Sequence, residues 1–391
     1  MQQKVRSVLL FEPLKIRDLQ LKNRIVISPM MQHAAPSGLA TSWLLVHLGK
    51  FALGGAGLIF TESTAVSPVG RIGMNDLGLW DDEQIAPLKK VVDFVHEQGS
   101  AIGIQLGHAG RKAGSEPLWE GGGSFSLEAM AKVDPRWIRV GPSAISAGPG
   151  WTTPVEMNLP DIESVIQDFV AATKRAEEAG FDVVELHFGH GYLVTSFLSP
   201  LSNVRTDDYG GELAGRMKFA IKIATEVRKA WPLHKPLFCR ISVVDGAVGG
   251  WSLEDSIVLT RELKLAGVDV IDCSSGGLTE QTRALPVPRG LGFQVSFAQA
   301  IRSQSNILTQ AVGLIVDPQQ AENILQEGCA DLVAIGRAAL EDPYWPLHAQ
   351  EALCPDPEFT DWPYRHGVWL AKRKSILNSV SIQHQNKEVK S

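Results

Sequence analysis

The chain has 391 residues, 44% hydrophobic and 20% charged, enough for one large domain or two ordinary ones around a substantial core. A net charge of -6, with no Lys/Arg block interleaved with aromatics, excludes the electrostatic footprint of a nucleic-acid binder. No run approaches 18 apolar residues, so no membrane span is expected, and Val8-Leu9-Leu10-Phe11 is too short for a signal-peptide core.

Along the chain, short apolar runs followed by amphipathic stretches recur eight times. Strands are predicted over Ile25 to Pro29, Leu58 to Glu62, Ala101 to Leu106, Val183 to His187, Leu237 to Ile241, Val270 to Cys273, Ile307 to Gln310 and Leu332 to Gly336. Most do not alternate, as parallel strands covered on both faces should not. Helical patterns lie between them, among them Asp82 to Gln98, Asp161 to Ala179, Ala214 to Trp231, Leu253 to Ala266 and Pro318 to Glu327. Gly99, Gly180, Gly267 and Gly328 fit helix C-caps. The joint from helix through Gly to an Asp before a strand repeats at Gly180-Phe181-Asp182, Gly267-Val268-Asp269 and Gly328-Cys329-Ala330-Asp331. Eight such units favour an α/β fold of the (β/α)8 TIM-barrel type over a doubly wound sheet, and no G-x-G-x-x-G follows the first strand. The expected organisation is one barrel domain over residues 1–350. Residues 107–160, rich in Gly, Pro, Trp and Ser, form a lid or pocket-wall insertion after strand three. A polar tail over 351–391 follows, with 386–391 expected to be disordered.

In such a barrel the reactive groups belong at the C-terminal ends of strands. The fourth end is the richest. His187, Phe188, Gly189, His190, Gly191 and Tyr192 put two imidazoles and a phenol within six residues. Two donors and one weak acid so close together suit gripping a carbonyl oxygen and protonating the adjacent carbon. Two plainer readings stand beside this one: satisfied structural histidines, and a His-x-x-His zinc site for which the neighbouring sequence supplies no third ligand. No metal is expected. Gly313 after strand seven and Gly336-Arg337 after strand eight fall where this fold often binds phosphate through backbone N–H groups. Either alone would be ordinary turn chemistry.

Long segments then carry a resemblance: Leu21 to Met30 (LKNRIVISPM), Gln105 to Lys112 (QLGHAGRK), and His187 to Tyr192 continuing through Phe197 to Gly211 (FLSPLSNVRTDDYGG). From about Phe11 to Pro346 the chain resembles the Old Yellow Enzyme family of FMN-dependent ene-reductases, in its thermophilic-type and xenobiotic-reductase-like branch. The resemblance implies FMN lined by Ser28, Pro29, Met30, Met31 and Ser63, with Gln105 on the pyrimidine edge and Arg240 near N1 and O2. Gly313, Gly336 and Arg337 would serve the phosphate. An Arg there stabilises the negative charge of the reduced ring; a barrel-top salt bridge is its plainer reading. His187 and His190 would hold the carbonyl or nitro oxygen of an activated alkene, hydride from flavin N5 would reach the β-carbon, and Tyr192 would protonate the α-carbon. A phenol with an ordinary pKa of about 10 is protonated at neutral pH and suits that role. NADH or NADPH would reduce the FMN first at the same face, in a ping-pong cycle. The resemblance also implies a homo-oligomer, dimer or tetramer, with Arg365 or Trp369 completing a neighbouring subunit's site. Trp119, Trp345, Trp362 and Trp369 are candidate pocket walls.

Two positions depart from the branch pattern: Met31 stands where a Cys commonly touches the flavin, and His33 where a Tyr often contacts substrate. A thioether neither ionises nor donates a hydrogen bond, so a shifted flavin potential and altered oxygen reactivity are expected, packing being the plainer role. His33 introduces a substrate contact that titrates near neutrality.

Other readings stay open. Reduction of acyl-CoA thioesters or other xenobiotics uses the same machinery. The dienoyl-CoA reductase and trimethylamine dehydrogenase types carry extra domains and an iron–sulfur cluster, which the length and the scattered Cys239, Cys273, Cys329 and Cys354 argue against. A flavin-free, phosphate-binding isomerase or lyase would need a Schiff-base Lys or a carboxylate base at a strand end, and only Glu62 comes close. A binding module would leave His187, His190, Tyr192 and Arg240 unexplained. Reduced thiols and the lack of a signal-peptide core give a cytoplasmic expectation.

Overall fold

The computed structural model describes residues 7–278 and 289–388. Within them eight parallel strands close into a barrel: β1 Ile25–Ile27, β2 Leu58–Ala65, β3 Ala101–Gly107, β4 Val183–Phe188, β5 Leu237–Ser242, β6 Val270–Ser274, β7 Leu308–Val312 and β8 Leu332–Ile335. Each is followed on the outside by a helix: α1 Ser42–Leu53, α2 Ile85–Glu97, α3 Leu159–Glu178, α4 Leu213–Ala230, α5 Leu253–Leu265, α6 Val295–Ser305, α7 Pro318–Gln326 and α8 Trp345–Leu353. The expected strands and helices are all present, with ends shifted by a few residues. Gly99, Gly180, Gly267 and Gly328 all have the positive φ that a left-handed helix stop requires.

Both strand faces are buried, which is why the sequence shows so little alternation. On β4, Val184, Leu186 and Phe188 join the large core beneath the helices, while Val183 belongs to the separate cluster inside the barrel. That inner cluster also holds Val26, Leu58, Phe60, Phe238, Val270 and Leu332. A two-stranded antiparallel hairpin, Leu14–Ile16 with Leu19–Leu21, packs against it and closes the N-terminal end. Each aliphatic side chain buried there stabilises the plug by roughly 1.5–3 kcal/mol.

Two irregularities shape the other end. Between Phe60 and Ser63, β2 carries one residue more than β3, a bulge that lets Ser63 and Glu62 serve different neighbours. The insertion after β3 contains a short helix, Leu127–Val133, and a two-stranded pair, Val140–Gly141 with Val155–Glu156. Arg139, 1% exposed, pins it down by donating to the carbonyls of Ala113 (2.8 Å) and Phe125 (2.8 Å), to Ser124 Oγ (2.9 Å) and to Thr152 Oγ1 (2.6 Å).

The tail departs from expectation. The helix α8 crosses residue 350, and Tyr364–Glu388 forms α9, a 25-residue helix; residues 386–388 are its last turn, and 389–391 lie outside the described residues. The apolar residues of α9 do not gather into one stripe, so the sequence showed no helical period. Trp362 and Arg365 line a cavity of about 710 Å³ with Lys22, Gly55 and Gln98, at the N-terminal end of the barrel and so away from the strand-end residues. Trp369 stands exposed on α9. As walls of the upper pocket within this subunit, Trp362 and Trp369 are therefore corrected. Trp345 is buried and donates from Nε1 to the Val316 carbonyl (2.9 Å), backing the upper cavity that Val316 lines.

Candidate active site

At the C-terminal end of the barrel lies a cavity of about 730 Å³. Its lining includes Ser28, Pro29 and Met30 after β1, His190 after β4, Arg240 on β5, Gly313 after β7, and Gly336 and Arg337 after β8. Five strand ends thus converge, and eight of the residues expected at the site from the sequence share one space. Ser63 and Gln105 sit on the neighbouring strands β2 and β3. Ser63 faces inward, since a Cβ on Gly107 would lie 2.9 Å from its hydroxyl.

The loop after β4 is held in an uncommon shape. His190 has φ +60°, a conformation that costs a non-glycine residue on the order of 1–3 kcal/mol. Gly191 follows at φ +73°, where a Cβ would sit 2.1 Å from the Gly277 carbonyl, so the loops after β4 and β6 meet backbone to backbone. The His190 N–H donates to Ser242 Oγ (2.8 Å), which in turn donates to the Gly276 carbonyl (2.8 Å). Lys112, from the insertion, donates to the carbonyls of His190 (2.8 Å) and Gly277 (2.9 Å) and clamps the two loops together. Its Nζ also lies 5.0 Å from the centre of the Tyr192 ring.

The three reactive rings meet edge to face: His187 lies 5.1 Å from His190 and 5.2 Å from Tyr192 between ring centres. His187 Nδ1 accepts from the Gly189 N–H (3.4 Å), which leaves its proton on Nε2. His190 Nε2 bonds the Ser274 hydroxyl at 2.6 Å; with that hydroxyl donating, Nδ1 carries the ring proton. Burial first, then the charges of Arg240 and Lys112, hold both imidazoles well below their ordinary pKa. At neutral pH the site therefore offers two neutral imidazoles and a phenol.

Arg240 combines both of its expected readings. Its Nη1 donates to Ser28 Oγ (3.2 Å) at the cavity, and its Nε lies 3.2 Å from the Asp272 carboxylate. Below, Gln105 Nε2 donates to Glu185 Oε1 (2.8 Å).

Met31 and His33 lie to one side, under the insertion. Met31 packs with Tyr192 against Ile72, Ala109, Ala113, Met130 and Trp137. His33 Nδ1 bonds Asp76 Oδ1 at 2.9 Å, and its ring meets Trp119 edge to face at 5.7 Å. Asp76 is fixed by the N–H groups of Ile72 (2.6 Å) and Gly73 (2.9 Å). Glu62 Oε2 accepts from the N–H of Gln32 (2.7 Å), and burial pushes this carboxyl up to about 8. Burial draws His33 down, but the hydrogen bond and charge of Asp76, with Glu62 and Glu120, more than reverse it, so its pKa is raised.

Lys112, Ser242, Ser274, Asp76, Glu185 and Asp272 had no role assigned from the sequence. Charged residues inside the apolar runs at Glu185 and Asp272 were the available signal for two of them; Lys112 stood in a quoted segment without a function.

Comparison with known proteins agrees with this geometry. Residues 9–355 match the family described as NADH:flavin oxidoreductase / NADH oxidase. The NADPH dehydrogenase of Bacillus subtilis (strain 168) is 44% identical over 347 residues, covering 88% of this chain and 95% of the relative. That of Geobacillus sp. (strain WCH70) is 43% identical over 350 residues, covering 89% and 95%. Among solved structures, morphinone reductase superposes with a TM-score of 0.74 at 26% identity, covering 90% of this chain and 96% of that one. The chain belongs to the NADH:flavin oxidoreductase / NADH oxidase family, and it is an NAD(P)H:flavin oxidoreductase with FMN as its cofactor.

The residues present fit that cofactor. The cavity volume lies within the range of cofactor sites, roughly 300–1,000 Å³. A Cβ on Gly336 would meet nothing within 4 Å, so the backbone there opens onto the space, beside Arg337. The buried Arg240 Nε, 3.2 Å from Asp272, makes no hydrogen bond, and the guanidinium borders the same cavity as Arg337, three strands further round the barrel.

Proposed function

We propose that this enzyme reduces activated C=C bonds, those of α,β-unsaturated carbonyl or nitro compounds, with NADH or NADPH in a ping-pong cycle. The observation that carries the reading is the edge-to-face set of His187, His190 and Tyr192, with both imidazoles neutral. Bound FMN would supply hydride acceptance from the nicotinamide and hydride donation to the alkene. Ser28 to Met31, Ser63, Gln105 and Arg240 would hold its ring, and Gly313, Gly336 and Arg337 its phosphate.

The protein's own part is binding, polarisation and proton transfer. His187 and His190 each direct an N–H to the substrate oxygen. Two fixed dipoles in a water-poor site stabilise the negative charge that grows there as the β-carbon is attacked. Neutral imidazoles suit this task, because they cannot lose the substrate oxygen to a full proton transfer as an imidazolium could. Tyr192 then passes its phenolic proton to the α-carbon, with the Lys112 ammonium over its ring stabilising the phenolate left behind. Arg240 would offset the negative charge of the reduced ring. Trp119 and the insertion over residues 107–160 would exclude water on the His33 side.

The test is steady-state turnover with cyclohexenone, maleimides, nitroalkenes and enoyl-CoA thioesters, each with NADH and NADPH. Parallel-line kinetics with the first three classes support the reading; turnover of thioesters alone would move it to acyl-CoA substrates. We further propose a homo-oligomer in which α9 reaches a neighbouring subunit through Arg365 or Trp369. Truncation after Asp361 should then change both assembly and turnover, and an unaltered enzyme would dispose of the idea.

A further inference from the structure

Just below the cavity, a belt of five polar side chains crosses the barrel: Gln105 on β3, Glu185 on β4, Arg240 on β5, Asp272 on β6 and Gln310 on β7. None is more than 7% exposed. Strand register pairs Gln105 with Glu185, Arg240 with Asp272, and Asp272 with Gln310. Apolar side chains ordinarily fill this layer of a barrel, as they do immediately underneath.

The belt holds two carboxyl groups and one cation. With both carboxyls ionised, a net negative charge would sit in a space closed to water, which is costly unless a proton relieves it. Asp272 has the cation, 3.2 Å away on Arg240, which opposes the rise that burial imposes on this carboxyl too without cancelling it. Glu185 has only a neutral donor: Oε1 accepts from Gln105, and the buried Oε2 has no hydrogen-bond partner. The groups facing Glu185 are Gln105 from β3, Arg240 from β5 and Asp272 from β6; Cys239 stands behind on the outer face of β5 and is itself pushed up by burial first and by this carboxylate next. Burial, then the charge of Asp272, lift Glu185 to about 8, with Arg240 and Gln105 pulling the other way.

We propose that Glu185 is a proton acceptor built into the barrel floor, which takes a proton from solvent when the flavin above it is reduced. The inference rests on the cavity being the flavin site. The balance is simple: the ring receives two electrons and one proton from the nicotinamide as hydride, and the added negative charge beside Arg240 draws a second proton onto the Glu185 carboxylate. Below about pH 8 Glu185 is protonated in both redox states and nothing extra is bound. Above it, until the higher pKa of the reduced state is passed, each reduction takes up one more proton.

The experiment is the midpoint potential of bound flavin against pH, from 6 to 10, in the wild type and in Glu185→Gln, whose amide oxygen still accepts from Gln105. The wild-type slope should double above about pH 8, and the Glu185→Gln slope should stay single throughout. A single wild-type slope with flavin bound overturns the proposal and spares the flavin reading; protein that takes up no flavin ends that reading first. Should the variant fail to fold, the reduced-minus-oxidised infrared spectrum of the wild type at pH 9 decides. A protonated-carboxyl band should appear on reduction, and its absence overturns the proposal.

Discussion

Two histidine sites lie at the same end of this barrel under opposite electrostatic control. His187 and His190 sit beside Arg240 and Lys112 with no carboxylate in contact, and burial and those cations strip them of charge. His33 is half-buried against Asp76, with Glu62 and Glu120 near, and is held toward the imidazolium. Residue type therefore does not fix the chemistry of a histidine here; depth of burial and the nearest full charge together do. One side of the site is suited to polarising a substrate oxygen by neutral donors, and the other to attracting an electron-rich group by charge.

The largest effect that would sharpen this contrast comes from the phenol on the neutral side. Tyr192→Phe should lower alkene turnover by about 10²–10⁴, the usual range for a general acid, while reduction of the flavin by NADPH proceeds at its normal rate. Stopped-flow measurement of the two half-reactions separates them, and equal losses in both would remove Tyr192 from proton transfer. Next in size, His187→Ala should cost about 10²–10³ in alkene reduction, as loss of one oxyanion donor does elsewhere. Because its folded pKa is depressed, this histidine stays neutral until the pH falls well below 6.5, so the donor contribution should be level between pH 6 and 8. A KM that titrates with His187 in that window would break the comparison on the neutral side.

A smaller change is expected at the charged side. With its folded pKa raised, His33 keeps its proton into the neutral range; the stability this adds is present below the ordinary value and lost as pH rises through the folded one. Asp76→Asn should move the pH at which carbonyl-ligand affinity inflects to lower values. Because His33 is partly open to solvent, the change in affinity at pH 7 should not exceed about tenfold, or ~1.4 kcal/mol. A flat affinity profile from pH 5 to 9 in the wild type would show that His33 does not face the ligand.

The same contrast explains what the sequence made legible. The barrel could be read because parallel strands buried on both faces appear as apolar runs, and because Gly180, Gly267 and Gly328 mark helix ends by a conformation few other residues tolerate. The neutral side could be read because His187, His190 and Tyr192 are neighbours along the chain. The charged side could not: Asp76 lies 43 residues from His33 and reaches it through a loop whose shape no local pattern specifies. Lys112 acts on carbonyls of residues 78 and 165 positions away, through backbone atoms that carry no sequence signal. In α9 the missing apolar stripe hid the helix, and the tie between Lys374 and Glu351 that holds its first half to the body joins residues 23 positions apart.

Met31 stands between the two sides and gives the finest test. Its thioether packs with Tyr192 against the cluster of Ile72, Ala109, Ala113, Met130 and Trp137, which supports the packing role directly. It also follows Met30, a residue of the cavity lining, so a shorter, ionisable side chain at 31 would leave the cluster underfilled and place a thiol next to the flavin site. Met31→Cys should therefore cost stability on the order of 1–2 kcal/mol, seen as a lower Tm, and shift the flavin midpoint potential without loss of Tyr192 function. A lowered Tm with an unchanged potential would assign Met31 to packing alone. The boundary between the two electrostatic sides would then run at His33, two residues further along the chain.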